Sequence, residues 1–319
     1  MKAAILHTLG TNPKFENFET PEPQQENQVL ITVKASSLKQ LDKSKASGKH
    51  YTKYPYFPIA VGVDGTGILE DGTRIYASGL TGMFAEKALV EKDHWTILPD
   101  GIDFETAAAL PNALIGSDMA LLYRAEIKKG DVILINGATG VTGKIAVQMA
   151  RYRGASKVIV TGRNAKILEE LKELGADEVI SLQDSYNSII EQLTIIHNTN
   201  PIDIVLDYLW GHPMELILTA FKNTTPRKIK IVTVGEMAGA TISLTSSQLR
   251  SMPIELLGSG IGSISRETFA IYMKDILPSL FQLVADGILK IDIETVELKD
   301  IEMVWSKNDL PGKRTVVRI

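Results

Sequence analysis

The sequence predicts an α/β chain in two parts: an irregular β-barrel-like domain, then a doubly wound parallel sheet. Three observations carry this. Residues 1 to about 110 read as short strands punctuated by Gly and Pro. From Asp131 onward, near-continuous apolar strands alternate with amphipathic runs, which is how a parallel sheet covered on both faces is written. A glycine cluster stands between the first of those strands and the helical run behind it.

The clearest strands of the first part are VLITVKASSL (29–38), those within VGVDGTGILEDGTRIYASG (61–79), and FAEKALVEKDHWTILP (84–99). At 104-FETAAALPNALIGSDMALLYRA-125 the pattern becomes a long Ala/Leu-rich helical stretch, expected to be interrupted at Pro111. Strands follow at 132-VILIN-136, 157-KVIVT-161, 178-EVISL-182, 203-DIVLDYL-209, 229-IKIVTVG-235 and 254-IELLGSG-260, with helical runs at 142–153, 164–174, 186–197 and 211–222. Six strands with right-handed crossovers make the doubly wound architecture. Residues 266–287 read as another helix, and the tail VELKDIEMVWSKNDLPGKRTVVRI as helix, turn and strand returning to the first part. The expected domains are 1–111 with 267–319, and 112–266.

Composition narrows the function. The 319 residues are 44% hydrophobic and 23% charged with net charge −4, and no basic tract offers the clustered cations that nucleic acid needs. Cysteine is absent, which excludes disulfides, thiolate catalysis and Cys-containing zinc sites and fits a cytoplasmic protein. The opening MKAAILHTLGTNPKF is too soon broken by polar residues for a signal peptide, and no apolar window is long enough to span a membrane. The histidines at 7, 50, 94, 197 and 212 lack metal-ligand spacing.

In 132-VILINGATGVTGKIAVQMARY-152, Ala138, Gly140 and Gly143 hold the three small positions of a G-x-G-x-x-G fingerprint, with Ala in the first. The first permits a tight turn, the second lets backbone N–H groups approach a pyrophosphate, and the third lets helix and strand pack closely. The helix N-terminus adds free donors and partial positive charge. A turn that merely joins strand to helix is the alternative; the order strand, turn, helix inside an alternating region favours a cofactor. The second strand ends 158-VIVTGRNAK-166, with no carboxylate until Glu169. An acid there would bind a free ribose 2′-OH, whereas Arg163, with Lys166 nearby, suits a 2′-phosphate, so NADP is favoured over NAD. Solvated surface cations are the competing reading of both residues.

With these residues in place, the chain resembles the zinc-independent quinone oxidoreductase branch of the medium-chain dehydrogenase/reductase superfamily. The resemblance runs almost end to end, through 36-SSLKQLD-42, 62-GVDGTG-67, 97-ILPDGIDFETAAALP-111, 131-DVILINGATGVTGKIAVQMA-150, 174-LGADEVI-180 and 312-GKRTVV-317. It implies a GroES-like first domain, a Rossmann second domain, and hydride transfer from NADPH to quinones or α,β-unsaturated carbonyls. It places cofactor contacts on Asn136, Ala138, Thr139, Gly140, Val141, Thr142 and Gly143 at the pyrophosphate. Gly162, Arg163, Asn164 and Lys166 fall at the adenosine ribose, and 232-VTVGE-236 with 257-LGSGIG-262 along the nicotinamide, including Val234, Gly235, Gly258 and Gly260. Zinc relatives carry Cys, His and Cys where this chain has Lys39, Val63 and roughly Ala113, and no four-Cys lobe lies between Asp71 and Phe84. Lys39 also replaces an Asn of many relatives, Leu182 a Tyr, and Gly116 a Thr.

Without zinc, charge on the acceptor oxygen needs a donor. Lys39 is one candidate, beside the reading of it as a surface lysine. The run 50-HYTKYPYFP-58 offers aromatic walls for a planar acceptor with Tyr51 as a donor, or rings that seal the first core. Asp42 and Asp64 look catalytic on the page but read rather as acids that hold loops through backbone hydrogen bonds. A 2-enoyl thioester reductase and a non-catalytic NADPH-binding regulator remain alternatives. The resemblance implies a homodimer or homotetramer, often joined through the sixth strand.

Overall fold

The computed structural model describes residues 1–50, 52–222, 224, 227–307 and 310–319, with Ile261 by its backbone alone. It divides into two compact units, Met1–Pro111 with Arg266–Ile319, and Asn112–Ser265.

The first unit is built on β1 (Lys2–Leu6), β2 (Lys14–Asn17), β3 (Gln28–Ser37), β4 (Ile59–Ala60), β5 (Asp64–Ile68), β6 (Arg74–Gly79) and β7 (Lys87–Ile97), with α1 (Gln40–Ala46) after β3. Strand β3 is the hinge of the architecture. Gln28–Thr32 pair with β7 and Thr32–Ala35 with β5, Thr32 serving both, and a bulge between Val33 and Ala35 shifts the register of the β5 ladder. Since β5 pairs β6 and β6 pairs β7, the four strands close on themselves, giving the GroES-like barrel. Gly65 and Gly67 permit this closure: a Cβ on either would stand 2.6 Å from a carbonyl oxygen of β3. Two C-terminal strands, β14 (Ile293–Glu297) and β15 (Arg314–Arg318), extend the sheet in the order β14-β15-β3-β5-β6-β7. Alternating residues Ile31, Val33, Ile75, Ala88 and Val90 fill the barrel, while Leu6, Phe84, Trp305 and Val317 form a second core outside it.

The second unit holds β8 (Val132–Asn136), β9 (Lys157–Gly162), β10 (Glu178–Ser181), β11 (Ile204–Asp207), β12 (Ile229–Thr233) and β13 (Ile254–Gly258), all parallel, in the order β10-β9-β8-β11-β12-β13. Helices α3 (Val141–Tyr152), α4 (Ala165–Glu173), α5 (Tyr186–Thr199) and α6 (Gly211–Lys222) connect them, and the short α7 (Ser246–Ser251) precedes β13. The apolar residues of β8, β9, β11 and β12 are buried, with Leu134, Ile159, Val205 and Ile231 in one core with Leu193 and Ile217 of the helices. This is the doubly wound Rossmann order.

Two expectations need correction. The stretch 104–125 is not interrupted at Pro111: α2 (Phe104–Leu114) carries the proline inside it and continues as a π-helix over Ile115–Ala125. Proline's φ is helical, and burial of Ala107, Ala108, Ala109 and Leu110 offsets the missing N–H. The strand expected over 203–209 ends at Asp207, because Trp210 takes a left-handed φ of 52° and turns the chain into α6. Beyond Arg266, α8 (Arg266–Ile271), a π-helical turn and α9 (Leu277–Ala285) occupy the predicted helix, and α10 (Ile301–Trp305) the predicted tail helix.

Candidate functional site

Strand β8 ends at Asn136, Gly137 turns with φ +89°, and Gly140, at φ −83° and ψ 170°, caps α3. No side chain of the described residues caps this end, so the amides of the first turn keep their donors. The glycines divide the work. A Cβ on Gly143 would lie 2.5–2.6 Å from the backbone of Ala138, so helix and turn touch only because that carbon is missing; a Cβ on Gly140 would meet nothing within 4 Å. Gly140 therefore borders open space at a helix N-terminus, a cradle that fits a pyrophosphate. The turn is tied to the next strand, Gly137 N–H donating to Thr161 Oγ1 at 3.0 Å and Ala138 N–H to Thr161 O at 2.9 Å.

Strand order reverses between β8 and β11, the place where such sheets open a crevice at their carboxyl ends. Thr139 packs on Gly162, where a Cβ would sit 2.4 Å from its methyl. Arg163 and Lys166 are exposed, and neither side chain has a hydrogen-bond or ion-pair partner among the described residues. The Arg163 backbone is held by Gln183, whose Nε2 donates to its carbonyl at 3.1 Å. Asn164 spends its side-chain oxygen on the Ile167 amide as the cap of α4. On the other side of the crevice, Val234, Gly235, Gly258 and Gly260 line an open groove of about 540 Å³ with Trp210 and Thr233.

In the first unit, Lys39 corrects the surface reading: it is 1% exposed. Its Nζ donates to Asp64 Oδ1 and Ser37 O at 2.9 Å and stands 3.5 Å from Asp42 Oδ2. Asp42 does hold loops, accepting the Lys39 and Val63 amides at 3.0 Å each. Burial pushes its carboxyl above the usual range, Lys39 pulls it down, and Asp64 pushes it up again. Asp64 reads differently from expectation, as the counter-ion of Lys39 rather than a loop tie. Tyr51 lies outside the described residues. Tyr54 packs against the core of Leu6 and Phe84, whereas Tyr56 is 62% exposed.

The zinc-binding dehydrogenase family profile matches residues 141–277. A probable NADPH-dependent quinone reductase of Emericella nidulans is 26% identical, over 99% of each chain. The quinone oxidoreductase of Sus scrofa is 32% identical over 58% of each. The Escherichia coli quinone oxidoreductase solved in complex with NADPH superposes with a TM-score of 0.82 over all of both chains at 24% identity, a likeness of fold. Over its whole length the chain is similar to quinone oxidoreductases of the medium-chain dehydrogenase/reductase type. The relatives' names support an oxidoreductase. At the positions that the resemblance sets in the zinc relatives' places, Lys39 brings a cation already bonded to Asp64, and Val63 and roughly Ala113 bring no donor side chain, a set that does not fit that ion. Among the described residues, no group of three or more His, Cys, Asp or Glu is placed to hold a metal, and no helix is long and apolar enough to cross a membrane.

Sequence reasoning passed over Asp207, Thr161 and Trp210, which meet at the crevice. Asp207 is fully buried, and burial raises its carboxyl above the usual range against bonds from the Leu209 amide and Asn136. Its one legible signal is an acid closing the apolar run 203-DIVLD-207. Thr161 and Trp210 carry none.

Proposed function

We propose that this chain transfers hydride from NADPH to a quinone or an α,β-unsaturated carbonyl, with no metal in the step. The observation that carries the reading is the open N-terminus of α3 at Gly140, set at the reversal of strand order with unpartnered Arg163 at the end of the next strand. The nicotinamide supplies the hydride. Everything else falls to the protein. The first-turn amides of α3 hold the pyrophosphate, and Arg163 with Lys166 grips the 2′-phosphate. Asn136 to Gly143 and Gly162 to Asn164 shape the adenosine side, while the groove at Val234, Gly235, Gly258 and Gly260 receives the nicotinamide end. The names of relatives support the acceptor class: a probable NADPH-dependent quinone reductase from Emericella nidulans and an NADPH-dependent alkenal/one oxidoreductase from Arabidopsis thaliana, 33% identical over 56% of this chain.

Lys39 enters this reading as a fixed internal cation, since its ammonium is already bonded to Asp64 and Ser37. Tyr51 is the proton donor proposed from the sequence. We further propose a cytoplasmic homodimer or homotetramer, on the resemblance and the cysteine-free composition. The test is acceptor-dependent NADPH oxidation over quinones, enones and 2-enoyl thioesters. Oxidation with thioesters alone moves the assignment to an enoyl thioester reductase, and binding without oxidation to a regulator. Arg163→Glu is expected to weaken NADPH at least about tenfold more than NADH, the loss of a charge-assisted fork worth roughly 1.5–3 kcal/mol. Equal loss for the two nucleotides removes Arg163 from the phosphate.

A further inference from the structure

Asp207 sits where three strand ends meet, and its surroundings fix the direction of a hydrogen-bond chain. The Gly137 amide, which donates only, gives its proton to Thr161 Oγ1 at 3.0 Å. Thr161 must then turn its own hydroxyl proton elsewhere, and it donates to Asn136 Oδ1 at 2.6 Å. That orients the Asn136 amide so that Nδ2 faces Asp207 Oδ1 at 2.7 Å. The chain thus runs from a backbone donor at the glycine turn to a carboxylate acceptor, and all three side chains are fully buried. The same carboxylate accepts the Leu209 amide at 3.1 Å and the Trp210 amide at 3.1–3.2 Å. Its backbone carbonyl accepts Val234 N–H at 2.7 Å and Gly235 N–H at 3.3 Å.

One residue is therefore bonded to both walls of the crevice, the Gly137 turn through Asn136 and Thr161, and the groove through Trp210, Val234 and Gly235. We propose that Asp207 is a positioning residue for the dinucleotide, holding the pyrophosphate turn and the nicotinamide groove in fixed register. The inference rests on the NADPH reading above. Asp207 does not touch the cofactor; it acts through Asn136 and the Trp210 amide. A protonated or amide side chain at 207 would point a donor at donors, so the ionised form is the one the surroundings accept.

The experiment uses the full-length protein with three readouts: NADPH affinity by nucleotide fluorescence, steady-state NADPH oxidation with a quinone, and thermal unfolding without nucleotide. Asp207→Ala is expected to raise the NADPH Kd at least tenfold. Asn136→Asp sets two carboxylates face to face and is expected to do the same. Thr161→Val cuts the chain at its middle, leaves residue 207 and its amide partners unchanged, and is expected to raise the NADPH Kd at least about fivefold. A purely structural role predicts that these variants lower the melting temperature while the folded proteins bind NADPH within twofold of wild type, and that result overturns the proposal. So does an Asn136→Asp protein that binds NADPH within twofold of wild type. Should Asp207→Ala fail to fold, Thr161→Val decides alone. A wild type that binds NADPH beside variants that bind equally well removes only the role of Asp207, whereas a wild type that binds no NADPH removes the functional reading and this one together.

Discussion

In the first unit Asp42 and Asp64 share a single ammonium, that of Lys39, whereas in the second Asp207 is bonded to no cation and is held by N–H groups of Asn136, Leu209 and Trp210. Both sites are buried and both carry an acid that burial pushes above its ordinary range. Asp42 also accepts two amides, but it and Asp64 face an ammonium as well, whereas Asp207 has N–H groups alone. A charge balanced by a charge depends on the partner being present, with modest demands on angle. A carboxylate balanced by amides depends on where the backbone puts them, so it converts charge into position. The first arrangement suits a loop clasp between β3, α1 and β5, and the second suits the proposed role of a crevice that holds two ends of one ligand at a set spacing.

The largest expected effect breaks the charge-balanced site. Lys39→Met, close in volume, leaves two buried carboxylates with no cation and is expected to cost about 3–5 kcal/mol in urea unfolding. A loss under about 1 kcal/mol would place the compensation in the amides here too. Next comes the turn that the Asp207 chain reaches. Gly143→Ala drives a methyl into the Ala138 backbone and is expected to cost about 1–3 kcal/mol in thermal unfolding. Gly140→Ala, whose methyl meets no protein atom, is expected to stay within about 0.5 kcal/mol of wild type in stability yet to weaken NADPH. Equal stability losses for the two would show that Gly140 is a packing residue, without the open cradle.

The smallest effect is a pH dependence. Asp42, its pKa raised in the fold by burial, keeps its proton to higher pH folded than unfolded. That contribution is fully present below the unfolded value near 3.8 and is lost as pH rises through the folded one. Asp42→Asn does not titrate, so its melting temperature minus that of wild type should grow from pH 4 to pH 7, by about a few degrees. A difference flat in pH would mean that Lys39 fully offsets the burial of Asp42.

Legibility in the sequence follows the range of the interactions. The alternation of strands and helices is visible because apolar periodicity is local, and so is the glycine turn, whose small residues lie within six positions. The π-helix at 115–125 has no local signature, and Pro111 argues against the helix that contains it. The burial of Lys39 was not legible because its counter-ion is 25 residues away, brought near by β3 and β5 lying side by side. The place of Asp207 depends on the register that sets it beside Asn136, 71 residues earlier, and no spacing rule within either strand encodes that. Within the candidate site, residues with chemistry of their own stand out on the page, and those that act by holding others do not.

One feature of the first unit governs how the molecule is made. Strand β15 does not finish the sheet at an edge; it lies between β14 and β3, supplying Val316 and Val317 to buried layers. The strands before the Rossmann unit therefore wait, with the end of β3 at 35–37 lacking its β15 partner, until residues 314–318 are made, while the Rossmann sheet has every strand by Gly258. On a nascent chain the middle of the sequence matures before its beginning, and the early barrel strands are the ones in need of protection from neighbouring polypeptides.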